Sequence, residues 1–377
     1  MQLTVKQSEL AAACGIVARA LSSRTTLSIL GNILLDADAS GILTLASTNL
    51  EIAFCVTVPA RVDEAGAVTV PGKLFTDLAA SLPDDTVALS TDERGKKLTL
   101  KCLRDEARFN TIDAADFPIV PAFPDEGDMA LDADTLKRVL DFAAFAAAKD
   151  PSRPVLTSVH CRIWQSGVTL EATDGFRLSV SETHDGITTQ AAQRALIPAR
   201  TLTELGKLLK PGEAVRAHIS QNRNQVMFQV GSVTLVSQLI DGVYPDVYTI
   251  MPKSAATRVV VDTRALRQLV KRTILFAKDG SNIVQLDVTP PEPGLDYGTL
   301  AVSGKSTEYG DAAGELDAAV EGTPLSIAFN GTYLQDALEA VKTAQVVMEF
   351  GTPASPGIIK PMEGGFTHVI MPMHISR

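Results

Sequence analysis

No run in this sequence reaches the ~20 consecutive apolar residues that a membrane-spanning helix requires, although 45% of its 377 residues are hydrophobic. No membrane partner is therefore expected. The amino terminus, MQLTVKQSEL, is strand-like and already polar, so it does not read as a secretory signal, and a cytoplasmic location is expected. Only four cysteines occur, Cys14, Cys55, Cys102 and Cys161, with no C-x-x-C pair among them. Buried thiols in a reducing compartment are the expectation, not disulfides or metal ligands. The five histidines (160, 184, 218, 368 and 374) show neither H-E-x-x-H nor any clustered spacing, so no metal site is expected. Glycine-rich phosphate loops are missing as well. Gly304-Lys305-Ser306 has the end of one, but Thr299 stands where its first glycine belongs, and the stretch reads as a turn. The carboxylates of DAADFP (113–118) read as turn caps. Nothing assembles a nucleophile, a base and an orienting group, so the chain reads as a non-enzyme without cofactor.

Positive charge is also in deficit. With 34 Lys and Arg against 44 Asp and Glu, the net charge is −10. That balance argues against a protein holding nucleic acid by a generally basic surface; it does not exclude a locally basic face.

What is present is repetition. The stretch TLEATDGFRLSVSET (169–183) alternates apolar and polar residues on either side of Thr173-Asp174-Gly175, the pattern of a hairpin. Similar sentences stand at TLASTNLEIAFCV (44–56) and TLAVSGKSTEYGDAAGEL (299–316), placing Thr48, Thr173 and Ser303 at equivalent points 125 and 130 residues apart. A strand entering a helix recurs at 3–14, 131–142 and 261–272, with Leu10, Leu136 and Leu266 in register and Asp132 and Asp262 at capping positions. A second helix recurs at 70–82, 197–209 and 329–341, and Phe117-Pro118 returns as Tyr244-Pro245. A period this long marks a duplicated domain. The expected domains are 1–126, 127–253 and 254–377, with Pro-containing linkers near 121–127 and 251–256. Hairpin-length connections and few helices make each an α+β unit with antiparallel sheets.

The helices carry a second pattern. At 100° per residue, Leu266, Leu269, Val270, Thr273 and Ala277 share one arc of a helix from Thr263, and Arg264, Arg267, Lys271 and Lys278 share another. One basic helix is ordinarily a solvated face. Basic helices in every unit of an acidic chain suggest a shared positive surface facing a polyanion.

With these motifs the chain resembles the bacterial DNA polymerase III β subunits, the sliding clamps, over essentially its whole length. The resemblance is carried by RTTLSILGNILL (24–35), STNLEI (47–52), DFP (116–118), ATDGFRL (172–178), LIDGVYPD (239–246), FNGTYLQDAL (329–338) and VIMPM (369–373). It implies three clamp domains per chain and a head-to-tail homodimeric ring, with antiparallel sheets outside and helices lining the pore. Such a ring encircles double-stranded DNA without reading its sequence and tethers the replicative polymerase, giving processivity. The clamp loader and the repair and translesion polymerases are implied as further partners, docking through short linear motifs, and the location becomes the nucleoid-associated cytoplasm. Retention by topology needs no tight phosphate grip, which fits an acidic protein with a weak positive lining.

Helix phase offers Lys73, Lys149, Arg153, Arg200, Lys207, Arg264, Arg267 and Lys271 as DNA-facing; Arg24 matches a position the family uses at DNA. The family's peptide pocket carries over to Leu156, Thr173, Gly175, Phe176, Arg177, Leu178, Pro245, Ile250, Val369, Ile370, Met371, Pro372 and Met373. Methionine and branched aliphatics make an adaptable wall for such a pocket. The ring seam is expected to bring Ile274 and Leu275 against Lys73, Leu82 and Phe109 of the other copy. Departures from the family are Phe176 in place of His, Thr249 and His374 in place of Arg, and the added Ile375, Ser376 and Arg377; they lower the basic character of the pocket rim. The alternatives are a three-domain scaffold that never encircles DNA, and a clamp copy specialised for repair or antibiotic resistance.

Overall fold

Asp262 accepts a hydrogen bond from the Ala265 backbone N–H at 2.7 Å, so the first turn of the helix behind it starts with a satisfied donor. That helix, Thr263–Ala277, buries Leu266, Leu269, Val270, Thr273, Ile274 and Ala277 along one stripe, at the 3–4-residue spacing its sequence sets. It is one of six α-helices among the described residues: α1 Gln7–Val17, α2 Gly72–Ser81, α3 Ala133–Ala143, α4 Ala199–Gly206, α5 Thr263–Ala277 and α6 Gly331–Ala340. The first, third and fifth begin at intervals of 126 and 130 residues, the others at 127 and 132. The computed structural model describes residues 1–22, 27–124, 129–165, 167–189, 191–220, 222, 224–277 and 282–374. Arg24, Lys278, Ile375, Ser376 and Arg377 lie outside the described residues.

The chain forms two units, Met1–Ala133 with Lys207–Leu239, and Asp134–Gly206 with Ile240–Arg377. In the first, one sheet orders its strands 61–64, 2–6, 86–91, 97–102 and 105–110. A second sheet runs 112–113, 66–71, 32–37, 42–48, 52–59, 233–238, 225–230, 214–219 and 129–132. In the second unit one sheet of twelve strands runs 193–198, 158–164, 167–173, 177–183, 366–370, 357–361, 345–350, 257–262, 310–322, 298–306, 283–289 and 325–330. All these pairings are antiparallel, as hairpin-length connections require.

The same junction occurs in both units. In the first, Ile52–Pro59 pairs with Val233–Gln238, opposing Phe54 to Leu235. In the second, Arg177–Thr183 pairs with Phe366–Ile370, opposing Ser179 to His368. The central stretch therefore contributes to both units, its last strand to one and its 177–183 strand to the other. The core of the second unit includes α5 and α6, where Ile274, Leu334, Ala337 and Leu338 pack with Phe329, Phe350 and Phe366.

The repeat reaches atomic detail. The Thr48 hydroxyl donates to the Ile52 carbonyl and accepts the Leu50 N–H; the Thr173 hydroxyl donates to the Arg177 carbonyl and accepts the Gly175 N–H. Asn49 and Asp174 cap the same two turns, each accepting two backbone N–H groups. The third copy differs from the sequence alignment. Ser303 lies inside a strand opposite Gln285, and Ser306 is the residue whose hydroxyl accepts the Glu308 and Tyr309 N–H groups. Gly304-Lys305-Ser306 thus belongs to the strand Gly298–Ser306, with the turn after it.

Candidate functional site

The Thr173–Arg177 turn supplies the first part of the site. Gly175 sits at φ +93°, a conformation that side-chain-bearing residues rarely adopt, and Phe176 beyond it projects outward, 63% exposed. Arg177 turns the other way and is 6% exposed. A buried guanidinium needs full compensation, and it has it. Nε donates to Asp174 at 3.1 Å, and the terminal nitrogens donate to Asp336 at 2.6 Å and to the Phe145 carbonyl at 2.9 Å. Its plane lies over the Tyr333 ring at 4.4 Å and faces Phe145 at 5.5 Å.

The strand register brings in the carboxy-terminal segment. Leu178 stands opposite Val369 and Arg177 opposite Ile370, and the Met371 N–H donates to the Phe176 carbonyl at 2.9 Å. Leu178, Val180, Val247 and Val369 form a small buried cluster, with Tyr244, Met251 and Ile358 packed on it. Met371 is exposed, Pro372 and Met373 are half-buried, and Met373 is tied to the Ala328 carbonyl at 2.8 Å.

The third part is the segment 240–251, whose only regular element is a short turn at Val247–Ile250, capped by Asp246. It passes close over 154–157: a Cβ on Gly242 would come 2.7 Å from Val155, and Gly242 holds φ +142°. Only glycine fits both demands. Half-buried Leu156 is tied in turn to the Ala148 N–H at 2.8 Å. Val243, Pro245 and Ile250 remain exposed. Of the thirteen residues expected for the pocket, Thr173, Arg177, Leu178, Val369 and Ile370 are buried and the other eight are exposed or half-buried. Val243, beside them on the same segment, is 92% exposed. Its position next to the Tyr244-Pro245 motif is the one sequence signal that points to it.

Under the segment lies a polar cluster that sequence reasoning also missed. The Glu171 carboxylate, 2% exposed, meets His160 Nδ1 at 2.8 Å, Arg162 at 2.5 Å and the Tyr248 hydroxyl at 2.9 Å. Burial works against its charge, but the bonds from His160 and Tyr248 and the charge of Arg162 together hold its carboxyl below the usual range. Tyr244 accepts the Thr173 N–H at 3.1 Å and lies beside the His160 ring.

The basic residues fall into two groups. Lys73, Lys149, Arg153, Arg264 and Lys271 are exposed and Arg267 half-exposed, and none of the six forms an ion pair among the described residues. Arg200 and Lys207 are exposed but already have partners. Arg153 is not on an α-helix; its guanidinium lies beside the Gly175 turn, 3.7 Å from where a Cβ would be. Of the expected seam residues, Lys73 and Leu275 are exposed. Leu82, Phe109 and Ile274 are buried within their own units, Phe109 edge-on to Phe75 and Ile274 in the α5–α6 core. Leu74, 60% exposed beside Lys73, is the apolar surface there.

Among the described residues no group of His, Cys, Asp and Glu is placed to hold a metal, and no helix is long and apolar enough to cross a membrane.

Family models described as the DNA polymerase III beta subunit match the chain in three consecutive parts. The N-terminal domain matches residues 1–121, the central domain 130–246 and the C-terminal domain 248–374. A beta sliding clamp of Staphylococcus aureus is 31% identical over 384 residues, spanning 99% of each chain. The crystal structure of a DNA polymerase sliding clamp from Bacillus subtilis matches with a TM-score of 0.92 at 27% identity, covering both chains fully. A sliding clamp from Pseudomonas aeruginosa bound to griselimycin matches with a TM-score of 0.90 at 27% identity, again over both full chains.

Proposed function

Because this chain belongs to the DNA polymerase III β-subunit family, we propose that it is a sliding clamp whose two copies close head to tail around duplex DNA and hold the replicative polymerase to it. The observation that carries this reading is the full-length match of all three consecutive domains, since encirclement needs every one of them. The exposed, unpaired cations of α2 and α5 support it: they offer phosphates a contact that carries no base information, so the duplex can slide. Each copy performs no chemistry of its own. Its contribution is to confine DNA by topology and to present a groove.

That groove is the one built from 173–178, 240–251 and 369–373, and short linear segments of polymerases, the clamp loader and repair proteins are its occupants. Its exposed Phe176, Val243, Pro245, Ile250 and Met371 suit an apolar peptide, and preformed walls favour binding by lowering the ordering cost. Copies meet through Leu275 and the neighbourhood of Lys73 and Leu74. The domains divide near 126 and 253, and the protein works in the cytoplasm at the nucleoid.

Retention on DNA tests the reading. Loaded protein should remain on a closed circle and be lost when that circle is linearised; equal loss from both would overturn encirclement. Sizing should give about 80 kDa, twice the 40.0 kDa chain. Griselimycin should bind the groove, and protection from amide exchange should then map to 173–178, 240–251 and 369–373.

A further inference from the structure

We propose that Glu171 is a positioning residue for the groove: its buried carboxylate holds Tyr248, and through it the 243–250 wall, in the shape that receives a peptide. The proposal rests on the reading of the groove as a peptide site.

Three of the four side chains in the cluster belong to the sheet. His160 and Arg162 stand on the strand Ser158–Trp164, and Glu171 lies opposite His160 on the next strand. Tyr248 alone comes from the wall, 77 positions later. The wall makes no strand pairing of its own; its regular structure is the single turn Val247–Ile250. A segment without a backbone ladder is placed by its tertiary contacts. Here the two tyrosines peg it: Tyr244 accepts the Thr173 N–H, and Tyr248 donates to Glu171 while Arg162 lies over its ring at 5.3 Å. The residues beside those pegs, Val243, Pro245 and Ile250, are the exposed apolar ones.

The chemistry of the peg favours one geometry. Glu171 is buried, so losing the Tyr248 donor leaves its carboxylate less fully compensated, with His160 and Arg162 alone. Burial, and then the bond to Glu171, push the Tyr248 hydroxyl up to about 12, so it stays a proton donor. Arg162 also donates to the Tyr248 oxygen at 2.5 Å, so the hydroxyl is oriented from both sides. A wall fixed in this way enters binding already ordered, and its loss appears as weaker affinity without loss of any residue that touches the ligand.

The test is titration of the full chain with griselimycin, alongside thermal unfolding and amide exchange of 243–250. Tyr248→Phe and Glu171→Gln should each weaken binding roughly three- to tenfold, and the double variant should be no weaker than the weaker single one. Glu171→Gln, which keeps an acceptor for Tyr248, should lose less than Glu171→Ala. Exchange should quicken in 243–250 in each variant. Leu286→Ala, in the core of the same unit, should lower the melting temperature and leave affinity unchanged. If the parent chain binds and Tyr248→Phe and Glu171→Gln bind as tightly, or if Leu286→Ala weakens binding as much as they do, the positioning role is overturned alone. If the parent chain does not bind, the groove assignment falls and the positioning role with it.

Discussion

Arg177 and Asp336 are 159 positions apart in sequence and 2.6 Å apart in the fold, joining the turn after Thr173 to α6. Arg177 is enclosed, its side chain 5% exposed, while Asp336 keeps 34% of its side-chain surface in solvent. The two ends of the pair should therefore respond differently to mutation. Arg177→Ala takes the guanidinium from Asp174 and Asp336 and removes the cation between the Phe145 and Tyr333 rings. It should cost about 3 kcal/mol of unfolding free energy in urea. Asp336→Asn keeps an acceptor at a wetter position and should cost about 1 kcal/mol. Equal losses would mean that the pair does not organise the turn.

Arg264, Arg267 and Lys271 share a face of α5 beside its buried stripe. Replacing all three with Glu should leave folding intact, because none of them has an ion-pair partner among the described residues. DNA retention should weaken, and the salt dependence of loading should flatten by about 0.9 in log–log slope for each phosphate contact removed. Unchanged loading would remove these residues from the DNA-facing surface.

In the proposed groove, affinity and stability should respond to different residues. Phe176 and Ile250 are exposed, whereas Leu178 has no exposed surface and sits in the small cluster beneath them. Phe176→Ala and Ile250→Ala should lower griselimycin affinity with little change in melting temperature. Leu178→Ala should instead destabilise the fold by about 2–5 kcal/mol, the usual range for an emptied leucine site. Titration and thermal unfolding of the three variants side by side decide this. A Phe176→Ala protein that binds normally would shift the ligand away from the turn.

Local order was readable in the sequence and long-range pairing was not. The buried stripe of α5, its Asp262 cap and the twin turns at Thr48 and Thr173 follow from periodicity and turn chemistry within a few residues. As a helix-end aliphatic Ile274 reads equally as subunit surface or helix core, and in the fold it is buried, four residues beyond Val270 on the stripe. The third turn sits at Ser306, three residues past the aligned Ser303, because an antiparallel hairpin can lengthen both strands without changing its pattern. Glu171, between Leu170 and Ala172, has the alternation of an outward polar residue. Tyr248, from another part of the chain, bonds to it. Such partners are set by packing across the sheet and leave no local signature.

His368 gives the fold a dependence on acid. It lies opposite Ser179 across the strand junction, bonded to that hydroxyl through Nδ1 at 2.6 Å, and is completely buried beside the rings of Phe145 and Phe366. Nε2 has no hydrogen-bond partner among the described residues, so a proton added there would find no acceptor among them. Burial first, and the nearby Arg177 charge second, bring its pKa down from 6.5 to about 3. Between those values the unfolded chain binds a proton that the folded chain refuses. The stabilisation is therefore whole above pH 6.5 and is lost as pH falls towards 3, at up to ~1.4 kcal/mol per pH unit. His368→Gln keeps a hydrogen-bonding group for Ser179 and does not titrate. Unfolding free energies of both proteins from pH 7 to 4 should diverge in slope by nearly one proton below pH 6, the parent falling faster. The carboxylates titrate in both and cancel in the difference, so parallel curves would show that His368 takes up its proton in the folded state.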